Sequence, residues 1–317
     1  MMNDGVGGRN DMARDITTTL GRHRTSVWLP MSRLLTALLA CGVASACSGT
    51  SPSPASDALA GRSSAPAATS ATDPSPSVKR IGDATAAPAW LGTRVLPVGS
   101  NGFAAAQATP PELRNRSIIT TDDLTPPADG GFHSTIQAVP ASVLARSTWT
   151  SACPVKATDL RYVTVSFRGF DGLAHTGELL LNARAADGLV NVFGRLFAEG
   201  YPIERMRVTS ATELNAPPTG DDNTTAVFAC RPVRGHTGWS QHAYGLAVDV
   251  NPFQNPYHKG NVVLPELATS YLDRGDVRPG MILPHGPVPK AFATIGWKWG
   301  GDYHSLKDFM HFSANGG

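Results

Sequence analysis

Residues 48–88 open with SGTSPSPASDALAGRSSAPAATSATDPSPSVKR, a run of Ser, Ala, Pro and Thr almost without large apolar groups. Such a segment cannot bury enough surface to offset its chain entropy, so residues 47–88 read as a flexible spacer. A packed core must come from residues C-terminal to it. Residues 89–135 scatter Trp90, Leu91, Val95 and Phe103 among many Pro and Gly, a pattern that fits either a small folded extension or a segment draped on its neighbour. Denser apolar patterning begins near Ile136, and residues 136–317, about 180 in all, suffice for one well-cored domain.

Upstream of the spacer stands MSRLLTALLACGVASAC, with Arg33 before an apolar run and Ala44-Ser45-Ala46 before Cys47. A basic start, an apolar stretch too short to span a bilayer with margin and an Ala-x-Ala site make residues 1–46 an export segment, with Met31 as a candidate start. Cys47 directly after the small residues also admits acylation and a membrane tether, although Ala44 stands where a larger aliphatic residue is usual. The expected location is therefore outside the cytoplasm, in the cell envelope or beyond. Beyond this segment only Cys153 and Cys230 remain, an even count that export permits to form one disulfide. A net charge of +2 with 16% charged residues supplies no broad basic field, which argues against nucleic acid as a partner. A monomer is expected.

Within the domain, LRYVTVSFRGFDG alternates and is β-branched, Asp171-Gly172 is a turn signal, and HTGELLLN comes next, so a hairpin is predicted. VNVFGRLFAEGYPI carries helical spacing and ends in Gly200. Further strands are expected at ERMRVTS, TAVFACR, GLAVDV and FMHFS. Strands and helices without regular alternation indicate an α+β fold, with a small central antiparallel sheet, flanking helices and long loops.

In SQHAYGLAVDV, His242 and Asp249 lie seven apart. An odd spacing in one strand would place them on opposite faces, so they can share a site only if the chain turns between them, and Gly245 is the natural turning point. Leu246, Val248 and Val250 would then face the core, with Ala247 and Asp249 facing a cleft. A carboxylate between valines needs a partner, and a metal ion is one. In DFMHF, His311 would point away from Met310 and Phe312. Two histidines and a carboxylate leave a fourth tetrahedral position open, which distinguishes catalytic from structural zinc, and Asp308 is placed to take a proton beside it. Taken alone, the same spacings also fit hydrogen-bonded structural histidines.

SQHAYGLAVDVNPFQNPY, SYLDRGDVRPG, AFATIGWKWGGDY and DFMHF resemble, in that order, the motifs of the VanY-like zinc D-alanyl-D-alanine carboxypeptidases and L-alanyl-D-glutamate endolysin peptidases. DNTTAVFACR resembles the segment before the histidine in one branch, so the similarity extends over roughly 145–313. The resemblance implies zinc ligands at His242, Asp249 and His311 and a general base at Asp308. It also implies an arginine that steadies the substrate carbonyl, for which Arg231 is the positional match, and a serine, Ser240, that either holds the loop by hydrogen bonds or binds substrate. Asp308 in place of Glu leans toward the endolysin-like branch, while Ser313 after His311-Phe312 departs from the acid usual there.

The expected partner is then the stem peptide of peptidoglycan, hydrolysed either at a terminal D-Ala or between L-Ala and D-Glu. A non-catalytic zinc-containing module that binds cell wall is the alternative, against which Asp308 counts, because a pure binder has no use for it. Trp297 and Trp299 in GWKWGGDY are expected to be half core and half cleft wall, with Trp299 toward substrate. His236, His258, His285 and His304 lie in Gly- or Pro-flanked loops and read as solvated side chains. Asp302 reads as the end of the Gly-Gly turn.

Overall fold

The computed structural model describes residues 81–234 and 236–316, all within the unit Ala71–Gly317. The export segment, Cys47 and the spacer up to residue 80 lie outside the described residues. Tertiary hydrogen bonds begin inside the segment read as spacer, where Gly82 N donates to Phe170 O and Thr85 bridges Ile118.

From there to residue 133 the chain drapes along the rest of the domain. Leu113 and Ile118 are buried with Phe253, Leu267, Tyr271 and Met281, and Trp90 and Leu91 close over them. Arg116 fixes this belt from within. Its guanidinium holds both carboxylate oxygens of Glu204, at 2.8 and 2.5 Å, and donates to Asp221 O at 2.7 Å. All of this takes place out of water, where an unpaired charge would be costly.

Strand β1 (Ser134–Ala138) precedes the short helix α1 (Ala141–Arg146). Then β2 (Leu160–Arg168) and β3 (Ala174–Asn182) form the expected hairpin, turning at Gly172, whose φ is +79°, with Leu173 N bonded to Asp171 Oδ1. β1 adds antiparallel to β2, giving the order β1-β2-β3. Helix α2 (Ala186–Ala198) buries Leu189, Val192, Phe193, Leu196 and Phe197 in the core formed with β2, and the chain leaves it through Gly200 at φ +67°. It begins four residues before the helical pattern at Val190. A Cβ at Gly188 would meet Ile295 at 3.2 Å, so its small size serves packing.

The strands expected at 204–210 and 225–231 shrink to β4 (Arg205–Met206) and, after helix α3 (Ala211–Leu214), β5 (Thr224–Thr225), paired in parallel. Their backbone donors go elsewhere: Glu204 N to Asn251 Oδ1, Val208 N to Glu178 Oε1 and Ala229 N to His242 O. Side-chain and isolated backbone acceptors thus replace a ladder.

The C-terminal third contributes β6 (Ala247–Asp249), β7 (Tyr257–Lys259), β8 (Val262–Leu264), helix α4 (Pro287–Ala293), β9 (Lys298–Trp299), β10 (Lys307–Asp308) and β11 (His311–Ser313). Two more antiparallel sheets result, β10-β7-β8 and β6-β11-β9. The mixed class is as expected, but three small antiparallel sheets stand among the described residues instead of one central sheet. The main core joins the inner faces of β2, β3 and α2 to Val248, Val250, Phe292, Trp297, Trp299 and Phe312, with Phe292 and Phe312 stacked 3.9 Å apart. Cys153 and Cys230 are bonded, with Cα atoms 5.9 Å apart, beside a satellite core under α1.

Candidate metal centre

The turn required between His242 and Asp249 is present. Ser240 caps a 3-10 turn, Gln241–Tyr244, by accepting from His242 N at 3.3 Å, and Gly245 ends it at φ +67°. That left-handed conformation favours glycine, and a Cβ would also lie 2.6 Å from Asn182 N. The chain then enters β6. There Val248 is fully buried and Asp249 is half-buried, but Ala247 is also fully buried, so it does not face a cleft as expected.

Strand β11 pairs antiparallel with β6 so that His311 stands opposite Asp249. Phe312 drives into the aromatic stack, which turns the His311 ring the other way. His311 Nδ1 lies 3.1 Å from Asp249 Oδ1 and 3.2 Å from His242 Nε2, and His242 Nε2 lies 3.3 Å from Asp249 Oδ2. Both rings are nearly withdrawn from water. His242 Nδ1 is 2.7 Å from Val227 O, and because a carbonyl can only accept, that nitrogen carries the proton and Nε2 presents its lone pair.

Three acceptor atoms this close repel unless a proton or a cation lies among them. The donor set, two imidazoles and a carboxylate, suits zinc, and the separations match the edge of about 3.3 Å that a tetrahedron with ligand distances near 2.0 Å requires. The ligand atoms all fall within 4.8 Å of one another, so His242, Asp249 and His311 could hold a metal. Burial pushes the Asp249 carboxyl up, but the two imidazoles outweigh it and hold it well below the usual carboxylate range.

Asp308 sits on β10 opposite Tyr257. Its Oδ1 is buried with no hydrogen-bond partner among the described residues. Burial pushes this carboxyl up to about 7, His311 and Arg231 pull it down, and Asp249 raises it. Gly300 makes room for it, since a Cβ there would lie 2.6 Å from Asp308 O and 2.8 Å from Asp308 Cβ. Arg231 is half-buried and within electrostatic reach of Asp249 and Asp308, and its guanidinium makes a long hydrogen bond to Pro232 O, at 3.4 Å.

The sequence reading of three residues needs correction. Trp299 is core, 5% exposed, stacked on Phe312, with its indole N–H donated to Phe309 O at 2.9 Å. Only its edge reaches a cavity of about 570 Å³ shared with Asp302, Tyr303 and His304, so it is not a wall of the metal cleft. Trp297 is likewise core, 7% exposed. Ser240 Oγ is engaged in its cap and is buried, a positioning part and not an open substrate contact. Sequence reasoning missed Val227, because its part is played by a backbone carbonyl that leaves no side-chain signal.

No curated protein and no solved structure matches the chain. Residues 234–314 match the family model described as D-alanyl-D-alanine carboxypeptidase, a span that holds His242, Asp249, Asp308 and His311 but not Arg231. The match supports the VanY-like resemblance for the segment that carries the cluster, and it suggests a D-alanyl-D-alanine carboxypeptidase-like peptidase.

Proposed function

We propose that the chain is an exported zinc metallopeptidase that hydrolyses amide bonds in peptidoglycan stem peptides. The observation that carries this reading is the convergence of His242 Nε2, His311 Nδ1 and an Asp249 carboxylate oxygen within electrostatic reach of Asp308, whose buried Oδ1 has no hydrogen-bond partner among the described residues. Zinc held by the three ligands would supply a Lewis acid and acidify water.

The chain's own residues would do the rest. Val227 O keeps the proton of His242 on Nδ1, so that Nε2 stays a ligand. Asp308 Oδ1 accepts a proton from the attacking water and returns it to the leaving amine nitrogen, a role suited to a carboxyl poised near neutrality. Arg231 steadies negative charge that develops on the scissile carbonyl oxygen. Export rests on residues 1–46, and Cys47 offers a point for a lipid tether. Asp308 is also what separates this reading from a binding module, which would gain nothing from a buried carboxylate whose Oδ1 has no hydrogen-bond partner among the described residues.

The test is incubation of zinc-loaded protein with defined stem peptides, read by mass spectrometry. Loss of a terminal alanine, or a cut between L-Ala and D-Glu, is expected from the wild type. Asp308→Asn should retain zinc and lose about 10²- to 10⁴-fold in rate. No cleavage by the zinc-loaded wild type would sink the proposal.

A further inference from the structure

A second polar end beside Asp308 also lacks a partner: Tyr303 Oη is out of water and makes no hydrogen bond among the described residues. Tyr303 follows the 3-10 turn Gly300–Asp302, which leads from β9 toward β10. Lys307, next to Asp308 in the chain, donates from Nζ to Tyr303 O at 2.7 Å and to Gly301 O at 3.0 Å, so the turn is tied to the strand that carries Asp308. Gly300 lets the two side chains close in. A Cβ built on it would lie 2.8 Å from Asp308 Cβ and 3.2 Å from Tyr303 Cε2, so aspartate and tyrosine ring flank one bare Cα.

Tyr303 is half-buried and borders the cavity of about 570 Å³, yet its hydroxyl is withdrawn from water. The ring edge therefore faces out and the hydroxyl faces in. Inward lies the ligand face of β11, where Ser313 shares a side with His311 because side chains alternate along a strand and Phe312 between them enters the core. Ser313 is close enough to act on the phenol, but its Oγ already accepts from Gly316 N at 3.2 Å, and no hydrogen bond of good geometry joins it to Tyr303. Burial raises the pKa of the phenol, Ser313 lowers it, and the Asp308 and Asp249 carboxylates raise it, with a net upward shift. At neutral pH the group is thus a phenol with its proton in place, a donor. Packing alone does not call for that hydroxyl, since phenylalanine fills the same space with no polar group to desolvate.

We propose that Tyr303 is a further catalytic residue, its hydroxyl donating a hydrogen bond to the oxygen of the water that Asp308 deprotonates. The assignment rests on the hydrolase reading above and adds a group to it. The water's proton passes to Asp308 Oδ1, Tyr303 keeps its own, and a donor aimed at the water oxygen favours the anion that forms there. One water so placed gives both orphaned ends a partner, as buried waters between polar groups do.

The experiment compares the wild type with Tyr303→Phe, both zinc-loaded, on defined stem peptides, together with metal content and urea unfolding. In the variant kcat should fall about 10- to 100-fold with KM changed less than about threefold, because the lost bond is made to the reacting water and strengthens as charge develops. Zinc content and the urea midpoint should stay at the wild-type values, since the hydroxyl holds nothing in the resting fold. A Tyr303→Phe variant with wild-type kcat, or one whose KM rises while kcat is kept, overturns the assignment and leaves the hydrolase reading standing. So does a fall in the urea midpoint, which would make the hydroxyl a structural bond to Ser313. Absence of cleavage of any stem peptide by the wild type overturns both.

Discussion

His311 faces Asp249 directly across the β11–β6 pair, Nδ1 to Oδ1 3.1 Å, although 62 residues separate them in the chain. The two ligands are thereby held by backbone register, while His242 arrives from a turn that Gly245 closes. Ligand geometry of this kind should exist before any metal binds.

Zinc binding should therefore behave as binding to a preformed site. Titration with zinc is expected to give one equivalent per chain, and zinc at 100 times its Kd should raise stability by about 2.7 kcal/mol. His242→Ala, Asp249→Ala and His311→Ala should each weaken binding more than the 10- to 100-fold, roughly, that loss of an outer hydrogen-bond partner costs. Metal content after dialysis and thermal unfolding with and without zinc check this, and variants that retain full zinc would refute the ligand set.

Gly245→Ala should harm the same site without touching a ligand. The new Cβ would meet backbone atoms of Leu181 and Asn182 from a left-handed residue, so the turn must shift. A loss of at least about 2 kcal/mol is expected, with weaker zinc binding because His242 moves with the turn. Denaturant unfolding and zinc titration of the variant measure the two effects.

A protein cut to begin at residue 136 should fold poorly. It would lose Arg116 and leave Glu204 buried without its cation, and it would lose Leu113 and Ile118, which are buried with Phe253 and Tyr271. Removing one partner of such a pair costs about 3–5 kcal/mol. Arg116→Met in the longer chain isolates that term, and chemical denaturation should show the loss; a stable, cooperative domain from residue 136 would contradict the integral role of the belt.

Acid should loosen the belt at Asp123. Arg205 grips this carboxylate with two bonds, at 2.8 and 2.6 Å, and holds its pKa below the ordinary value. A carboxyl depressed in the folded state stabilises above its unfolded pKa, and that contribution fades as pH falls through the folded one, below about pH 4. The pair is partly exposed, so the effect should stay under about 1 kcal/mol. Wild type should lose more stability than Asp123→Asn between pH 6 and pH 3 in urea unfolding, and equal losses would rule the pair out as a contributor.

Local pattern carried much of this protein. The alternation of LRYVTVSFR, with HTGELLLN after it, calls for paired strands, Asp171-Gly172 for a turn, and the odd spacing of His242 and Asp249 for a break at Gly245. These features come from side-chain period and φ preference, which act over a few residues. Tertiary structure alone decided the rest. Whether Trp299 faces a cleft or the core depends on Phe312 lying beneath it, and whether the belt folds depends on Glu204 waiting for Arg116. The strands expected at 204–210 and 225–231 were shortened because distant acceptors, Glu178 Oε1, Asn251 Oδ1 and His242 O, took their backbone donors. A sequence records which groups need partners, but the partner is chosen by what the fold brings within 3 Å or so, the reach of a hydrogen bond.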